Sequence, residues 1–298
     1  MNKFKLLILS LTICLFSSCA FNNKFHYPIK INHNVDELVV FSYGKDTLLF
    51  NYNKKNKIIN IKDKNGTSRH NNFSIEAFNF ISSSGNKLHG WFLSPKNIKP
   101  IATIVHFHGS ANDILTQYQA ISPLIDYGFQ IITFDYSGYG FSKGKASRKN
   151  ALKDAYSFLD FAENHIKSKD HKLIIYGQSY GGYLAAIVGS NKQKKIQGIV
   201  IEGAFSSHKE EAKHEVPFWG NLVKNGKKAD QEIKKNLKPV LVIHSKDDKK
   251  VPLFLGKKIF DKANHPKLFY EIDKPHIMGL QFYSEEIADK MKKLFNLK

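Results

Sequence analysis

The chain is 298 residues long, 42% hydrophobic and 24% charged, and carries a formal net charge of +19. Those figures suit one large folded domain and exclude intrinsic disorder or a small disulfide-stapled scaffold. The positive excess is almost wholly lysine, Arg69 and Arg148 being the only arginines, so the planar forks that base-edge readout favours are scarce; nucleic acid is not an expected partner, and an anionic membrane surface is a secondary one.

Residues 1–18 read as an export signal: Lys3 and Lys5 precede the apolar run Leu6 to Phe16, which is too short to span a bilayer as a stable helix. The run closes on Ser17-Ser18-Cys19, which resembles the lipobox of bacterial lipoproteins, with Phe16 where leucine is usual. Bulky Ile13 makes Cys14 the poorer candidate. The resemblance implies that Cys19 is acylated and becomes the first residue, and several acyl chains on one residue anchor stably. Residues 19–35 then form a lipidated tether, and 36–298 a soluble domain held at the cell envelope. Both cysteines lie in this leader, so no disulfide or cysteine–metal site is expected in the body.

Short apolar runs at Leu38 to Phe41, Leu48 to Phe50 and Ile58 to Ile61 predict antiparallel strands, and Phe73 to Ile81 with Leu88 to Leu93 a hairpin across Ser82 to Asn86. From Ile101 the pattern changes. Strands at 101–107, 131–134, 173–176, 196–201, 240–243 and 268–272 alternate with helices at 113–126, 148–165, 180–190, 253–263 and 283–295. Such short, continuously apolar strands are buried on both faces, so the expected fold is α/β, a doubly wound, mostly parallel sheet with antiparallel N-terminal strands. Residues 204–238 interrupt the alternation with Pro217-Phe218-Trp219-Gly220 and many lysines, and read as a small lid insertion.

The strand at 173–176 runs straight into Gly177-Gln178-Ser179-Tyr180-Gly181 and then into a helical pattern. Gly-x-Ser-x-Gly in a strand-to-helix turn is a nucleophile elbow, exposing Ser179 at the carboxyl end of its strand. A serine hydroxyl needs a histidine to take its proton and a carboxylate to orient that histidine. Both should follow on loops after later strands. The strand at 240–243 leads into His244-Ser-Lys-Asp247-Asp248, and that at 268–272 into Asp273-Lys-Pro-His276. The chain order serine, acid, histidine is then satisfied by Ser179, a carboxylate at 247 or 248, and His276.

At this point residues 76–298 resemble α/β-hydrolase-fold serine hydrolases, and most closely the membrane-associated branch that includes protein depalmitoylases. The resemblance rests on Gly85 to Phe92, His106-Phe-His-Gly-Ser-Ala111, Asp135 to Ser142, the elbow, and His244-x-x-x-Asp248-x-x-Val-Pro252. The last stretch selects Asp248 over Asp247. The fold further implies an oxyanion hole from two backbone amides, by position Ser110 and Tyr180. Ser137, Ser245 and Pro275 depart from the family pattern, and Pro275 bears on how His276 is seated.

The expected activity is therefore a serine carboxylesterase or thioesterase, palmitate being one implied acyl group, with no cofactor and no metal. A peptidase or amidase using the same triad is the enzymatic alternative, and a non-catalytic binding protein that kept the fold is the other. His106 and His108 have no third ligand in view, His244 reads as a buried structural histidine, and Gly138, Gly140 and Gly144 miss the dinucleotide spacing. His208, His214, Phe218 and Trp219 are expected either to pack the lid onto the core or to wall a pocket above Ser179. Lys209, Lys213, Lys224, Lys227 and Lys228 outnumber Glu210, Glu211, Glu215 and Asp230 there, which suggests a lid facing an anionic membrane or substrate.

Overall fold

The computed structural model describes residues 26–31, 37–41, 47–53, 55, 57–166 and 172–297; Cys14, Cys19 and the rest of the leader lie outside them. In chain order the strands are β1 (Tyr27–Pro28), β2 (Glu37–Phe41), β3 (Thr47–Asn53), β4 (Ile58–Asp63), β5 (Phe73–Ile81), β6 (Lys87–Pro95), β7 (Ala102–Phe107), β8 (Ala111–Asn112), β9 (Phe129–Phe134), β10 (Leu173–Gln178), β11 (Gly198–Glu202), β12 (Val240–Ser245) and β13 (Lys267–Ile272). The helices are α1 (Ile114–Ile121), α2 (Arg148–His165), α3 (Tyr180–Asn191), α4 (His208–Glu215), α5 (Ala229–Glu232), α6 (Leu253–Lys262) and α7 (Gly279–Phe295).

Eleven strands form one sheet in the order β13-β12-β11-β10-β7-β9-β6-β5-β4-β3-β2. From β13 to β9 all pairings are parallel, and from β9 through β6 to β2 all are antiparallel. This is the mostly parallel α/β sheet with antiparallel N-terminal strands that the residue patterns predict. The central strands are buried on both faces, and their side chains alternate between two cores. Val105, Phe107, Ile175, Ile199, Ile201 and Val242 face α2, α3 and α6, while Ile104, Ile174, Tyr176, Val200, Leu241 and Ile243 face α1 and α7. Continuous Val/Ile/Leu runs are what a strand sandwiched by helices requires.

Several boundaries differ from the sequence reading. The helix expected over 113–126 stops at Ile121 and continues as a 3-10 segment, Ser122–Tyr127. Pro123 withdraws an amide from the α-ladder there, and Gly128 at φ 91 ends the segment. The C-terminal helix starts at Gly279, ahead of the expected 283, because the Gly279 amide is anchored on Glu202 Oε1 at 2.8 Å; Tyr283 inside it is non-helical. The lid region consists of α4, a 3-10 segment Trp219–Leu222, α5 and a 3-10 segment Ile233–Lys235.

The largest departure concerns the tether. Residues 26–31 are docked on the domain: β1 pairs in parallel with β8, Lys30 bridges Gly140, the Gly140 amide donates to Ile29 O at 2.7 Å, and the Ile31 amide donates to Gly140 O at 3.0 Å. The folded unit therefore begins upstream of residue 36. Among the described residues no helix is long and apolar enough to cross a membrane.

Candidate active site

Parallel strands deliver their loops to one edge of the sheet, and the chemistry-bearing residues gather there. β10 ends at Gln178, α3 starts at Tyr180, and Ser179 between them has φ 54 and ψ −119. A non-glycine residue in that region carries roughly 1–3 kcal/mol of strain. The elbow holds it by bonds from the Ser179 amide to Glu202 O (2.8 Å) and from the Gly182 amide to Ser179 O (2.9 Å). Its glycines are dictated by close approach, since a Cβ at Gly177 would overlap the Gly181 carbonyl and one at Gly181 the Phe107 carbonyl.

The loops after β12 and β13 bring Asp248 and His276 to this serine. His276 Nε2 lies 2.9 Å from Ser179 Oγ, and His276 Nδ1 lies 2.6 Å from Asp248 Oδ2. With Nδ1–H donated to the carboxylate, Nε2 is the nitrogen left to accept the serine proton. Asp248 is buried, and its Oδ1 accepts from the Lys250 and Val251 amides at 2.9 Å each. Burial opposes its ionisation, but the His276 hydrogen bond and charge and the two amides outweigh that and hold its carboxyl below the usual range. Asp247 is exposed and not part of this chain of hydrogen bonds. His276 is seated although Pro275 stands before it.

The amides of Ser110 and Tyr180 both border the serine and have no hydrogen-bond partner among the described residues. For Ser110 the reason is visible in its neighbours. His108 Nδ1 donates to Gly109 O at 2.8 Å, which turns the far side of that trans peptide, the Ser110 N–H, the opposite way. The Gly109 amide is spent on Gln117 Oε1 (3.0 Å). Tyr136 Oη donates to His108 O (2.9 Å) and Tyr139 Oη to Ser110 O (2.8 Å). His26 and Tyr27 complete this bracing: the Tyr27 amide also donates to Ser110 O (2.9 Å), and His26 Nδ1 lies 2.8 Å from Tyr139 Oη. Because the tyrosine proton goes to Ser110 O, His26 Nδ1 is the donor. Burial, then the Arg148 charge, lowers the His26 pKa to about 4 and keeps the ring neutral.

Sequence reasoning missed Glu202 as well as this N-terminal brace. Glu202 is buried at the end of β11 and accepts from Tyr176 Oη (2.9 Å), Gln178 Nε2 (2.8 Å) and the Gly279 amide (2.8 Å). It thereby links the strand carrying Ser179 to the helix that starts three residues after His276. Burial pushes its pKa up, against those hydrogen bonds and the His276 charge.

The remaining histidines take structural positions. His106 bonds Thr133 Oγ1 (3.0 Å) and Gln178 Oε1 (3.2 Å), and burial lowers it to about 4. His244 donates Nε2 to Val251 O (2.8 Å), bracing the Asp248 loop. In the lid, His208 is buried against Tyr183 (ring centroids 4.5 Å apart) and Phe205, while His214 is exposed. Phe218 and Trp219 do neither of the things expected of them: they are 79% and 56% exposed and face away from the core.

A cavity of about 290 Å³ opens over Ser179 and His276. Tyr27, Ser110, Gln117, Glu211, Glu215 and Lys250 are among its lining residues. Burial raises the Glu211 pKa to about 8, with the Arg148 charge opposing and Glu215 adding to the shift.

Residues 102–229 match the alpha/beta hydrolase fold family. The YfhR protein of Escherichia coli O157:H7, itself uncharacterised, is 30% identical over 201 residues, 65% of this chain and 70% of that protein. The mouse lysophosphatidylserine lipase ABHD12 is 28% identical over 208 residues, 62% of this chain and half of that protein. Among solved structures, the Pyrococcus furiosus esterase Pf2001 superposes with a TM-score of 0.62 at 19% identity, covering 75% of this chain and 93% of that one. The chain thus belongs to the α/β-hydrolase fold family.

Proposed function

We propose that this protein is a serine hydrolase of carboxylesters or thioesters, working through an acyl-enzyme and held at the bacterial envelope by lipid on Cys19. The observation that carries the reading is the unbroken hydrogen-bonded line from Ser179 Oγ through His276 to Asp248 on a strained elbow. Ser179 Oγ attacks the acyl carbon while His276 Nε2 takes its proton. The charge that develops on the acyl oxygen faces the Ser110 and Tyr180 amides. Collapse expels the alcohol or thiol, which takes the proton back from His276. Water, deprotonated by the same nitrogen, then releases the acid and restores the serine. Asp248 keeps the imidazole in the productive tautomer and stabilises its cation. The lipase and esterase named among the similar proteins support the ester over the amide reading.

Ser179→Ala should abolish labelling by a fluorophosphonate and lower p-nitrophenyl ester turnover by more than roughly a thousandfold, with an unchanged melt. Asp248→Asn should be severely impaired and Asp247→Asn close to wild type. The reverse ranking would move the acid by one residue. Amide turnover rivalling ester turnover would overturn the ester assignment, and a Cys19→Ala chain that stays on membranes through a high-salt wash would overturn the anchor.

A further inference from the structure

Beyond the cleft, its rim carries large apolar side chains that the protein leaves uncovered. Phe218, Trp219 and Leu222 are 79%, 56% and 59% exposed. They follow directly on α4, the helix whose Glu211 and Glu215 line the cavity. The Gly220 amide donates to Val216 O at 2.7 Å, so the turn bearing Phe218 and Trp219 folds back against α4, close to Ala212. The two rings meet edge to face at 5.1 Å, forming one aromatic knob. Tyr27, 61% exposed, also lines the cavity. Lys213, Lys224 and Lys228 are near the knob in sequence and exposed; Lys227 pairs with Glu232 (3.5 Å), Glu210 with Lys258, and Asp230 is buried, which leaves Glu215 as the exposed acid of α4 beside three exposed lysines. An exposed aromatic and aliphatic projection on a lysine-rich stretch has the make-up of a surface that enters the headgroup region of an anionic bilayer.

The path of the chain points the same way, given the reading of Cys19 as acylated. His26 is buried with its ring 4.9 Å from that of Tyr180, and Tyr27 lines the cavity, so the chain joins the domain at the mouth itself. His26 is seven positions after Cys19, a covalent reach of at most about 25 Å. A bilayer that holds Cys19 therefore lies within that distance of the cleft.

We propose that the rim formed by Phe218, Trp219 and Leu222, with its lysine flank, is a docking surface for an anionic lipid bilayer. It lays the mouth of the Ser179 cleft on the membrane, so that acyl substrates enter from the lipid phase.

Trp219 provides the reporter, because the other tryptophan, Trp91, is fully buried. With the full-length processed protein and phosphatidylcholine vesicles containing phosphatidylglycerol, Trp219 emission should shift to the blue and be quenched by lipids brominated in their acyl chains. High salt or pure phosphatidylcholine should weaken both effects, and Trp219→Phe should remove them. Phe218→Ser with Leu222→Ser should abolish the shift and lower turnover of a vesicle-borne ester by about tenfold or more, leaving a soluble short-chain ester within about twofold. Unchanged Trp219 emission on vesicles overturns the proposal, as does an equal loss of soluble and vesicle-borne turnover. So does a blue shift that grows with protein concentration in the absence of lipid, which would make the rim a self-association surface. Failure of the underlying reading shows separately: a quenched Trp219 in a protein that turns over no ester, or whose Cys19 carries no acyl mass, refutes the enzyme or the anchor and upholds the docking.

Discussion

Glu211 stands on the cleft-facing side of α4, 18% exposed, with His208 Nδ1 3.8 Å from its Oε2. Its pKa of about 8 means that the folded protein keeps a proton there which the unfolded chain gives up near pH 4 to 5. Across the window from about pH 4.5 to 8 the unfolded state binds fewer protons than the native state at this position, so its contribution to stability declines as pH rises and levels off above 8. Glu211→Gln removes that titration. Denaturant unfolding should show a stability–pH slope between pH 5 and 8 that is less negative, or more positive, in the variant, which gains on wild type toward pH 9. Parallel curves would show that this carboxyl ionises normally. The hydrogen-bonded line of Ser179, His276 and Asp248 was legible in the residues because each follows a strongly apolar strand within a few positions. Glu211 was not, since its altered chemistry comes from the walls around it and not from any local motif.

Elements are held to one another at a few polar points, and Asp154 of α2 is one that, like Glu202, accepts three hydrogen bonds. It accepts from Ser82 Oγ (2.5 Å), Ser84 Oγ (3.0 Å) and the Ser137 amide (2.8 Å), tying α2 to the β5–β6 turn and to the loop after β9. Asp154→Ala leaves those donors without their shared acceptor in a buried setting, which costs on the order of 3 kcal/mol. A urea midpoint within a few tenths of a molar of wild type would show that water replaces the carboxylate. The helices and strands themselves follow from periodicity, as α2 does over its full predicted span. What periodicity does not contain is the joinery: Glu202 matters only because Tyr176, Gln178 and Gly279 arrive at it from other elements. Phe218 and Trp219 illustrate the converse. Their composition suggests core, and only the course of the chain around α4 leaves them outside.

For the whole molecule, the segment His26–Ile31 is a short piece that touches the site without belonging to the large sheet. Its hold consists of a two-residue bridge, a handful of backbone hydrogen bonds, the His26 contacts with Tyr139 and Tyr180, and the burial of Ile31. No apolar period marks it, which is why the sequence shows only a tether. Segments with so few contacts open at lower free energy than the sheet they rest on. Yet this one steadies the carbonyl of Ser110, which lines the cavity with Ser179. Heat should therefore silence the protein before it melts it, with ester turnover lost reversibly several degrees below the calorimetric midpoint. Tyr139→Phe should widen that gap by removing the hydroxyl that joins His26 to Ser110. Coincident inactivation and melting curves in both proteins would show that the segment stays shut until the sheet gives way. Amide exchange at Tyr27 and Ile31, if faster than along β7 and β10, would locate the opening directly, making the N-terminal end of the fold the weakest point of its most demanding site.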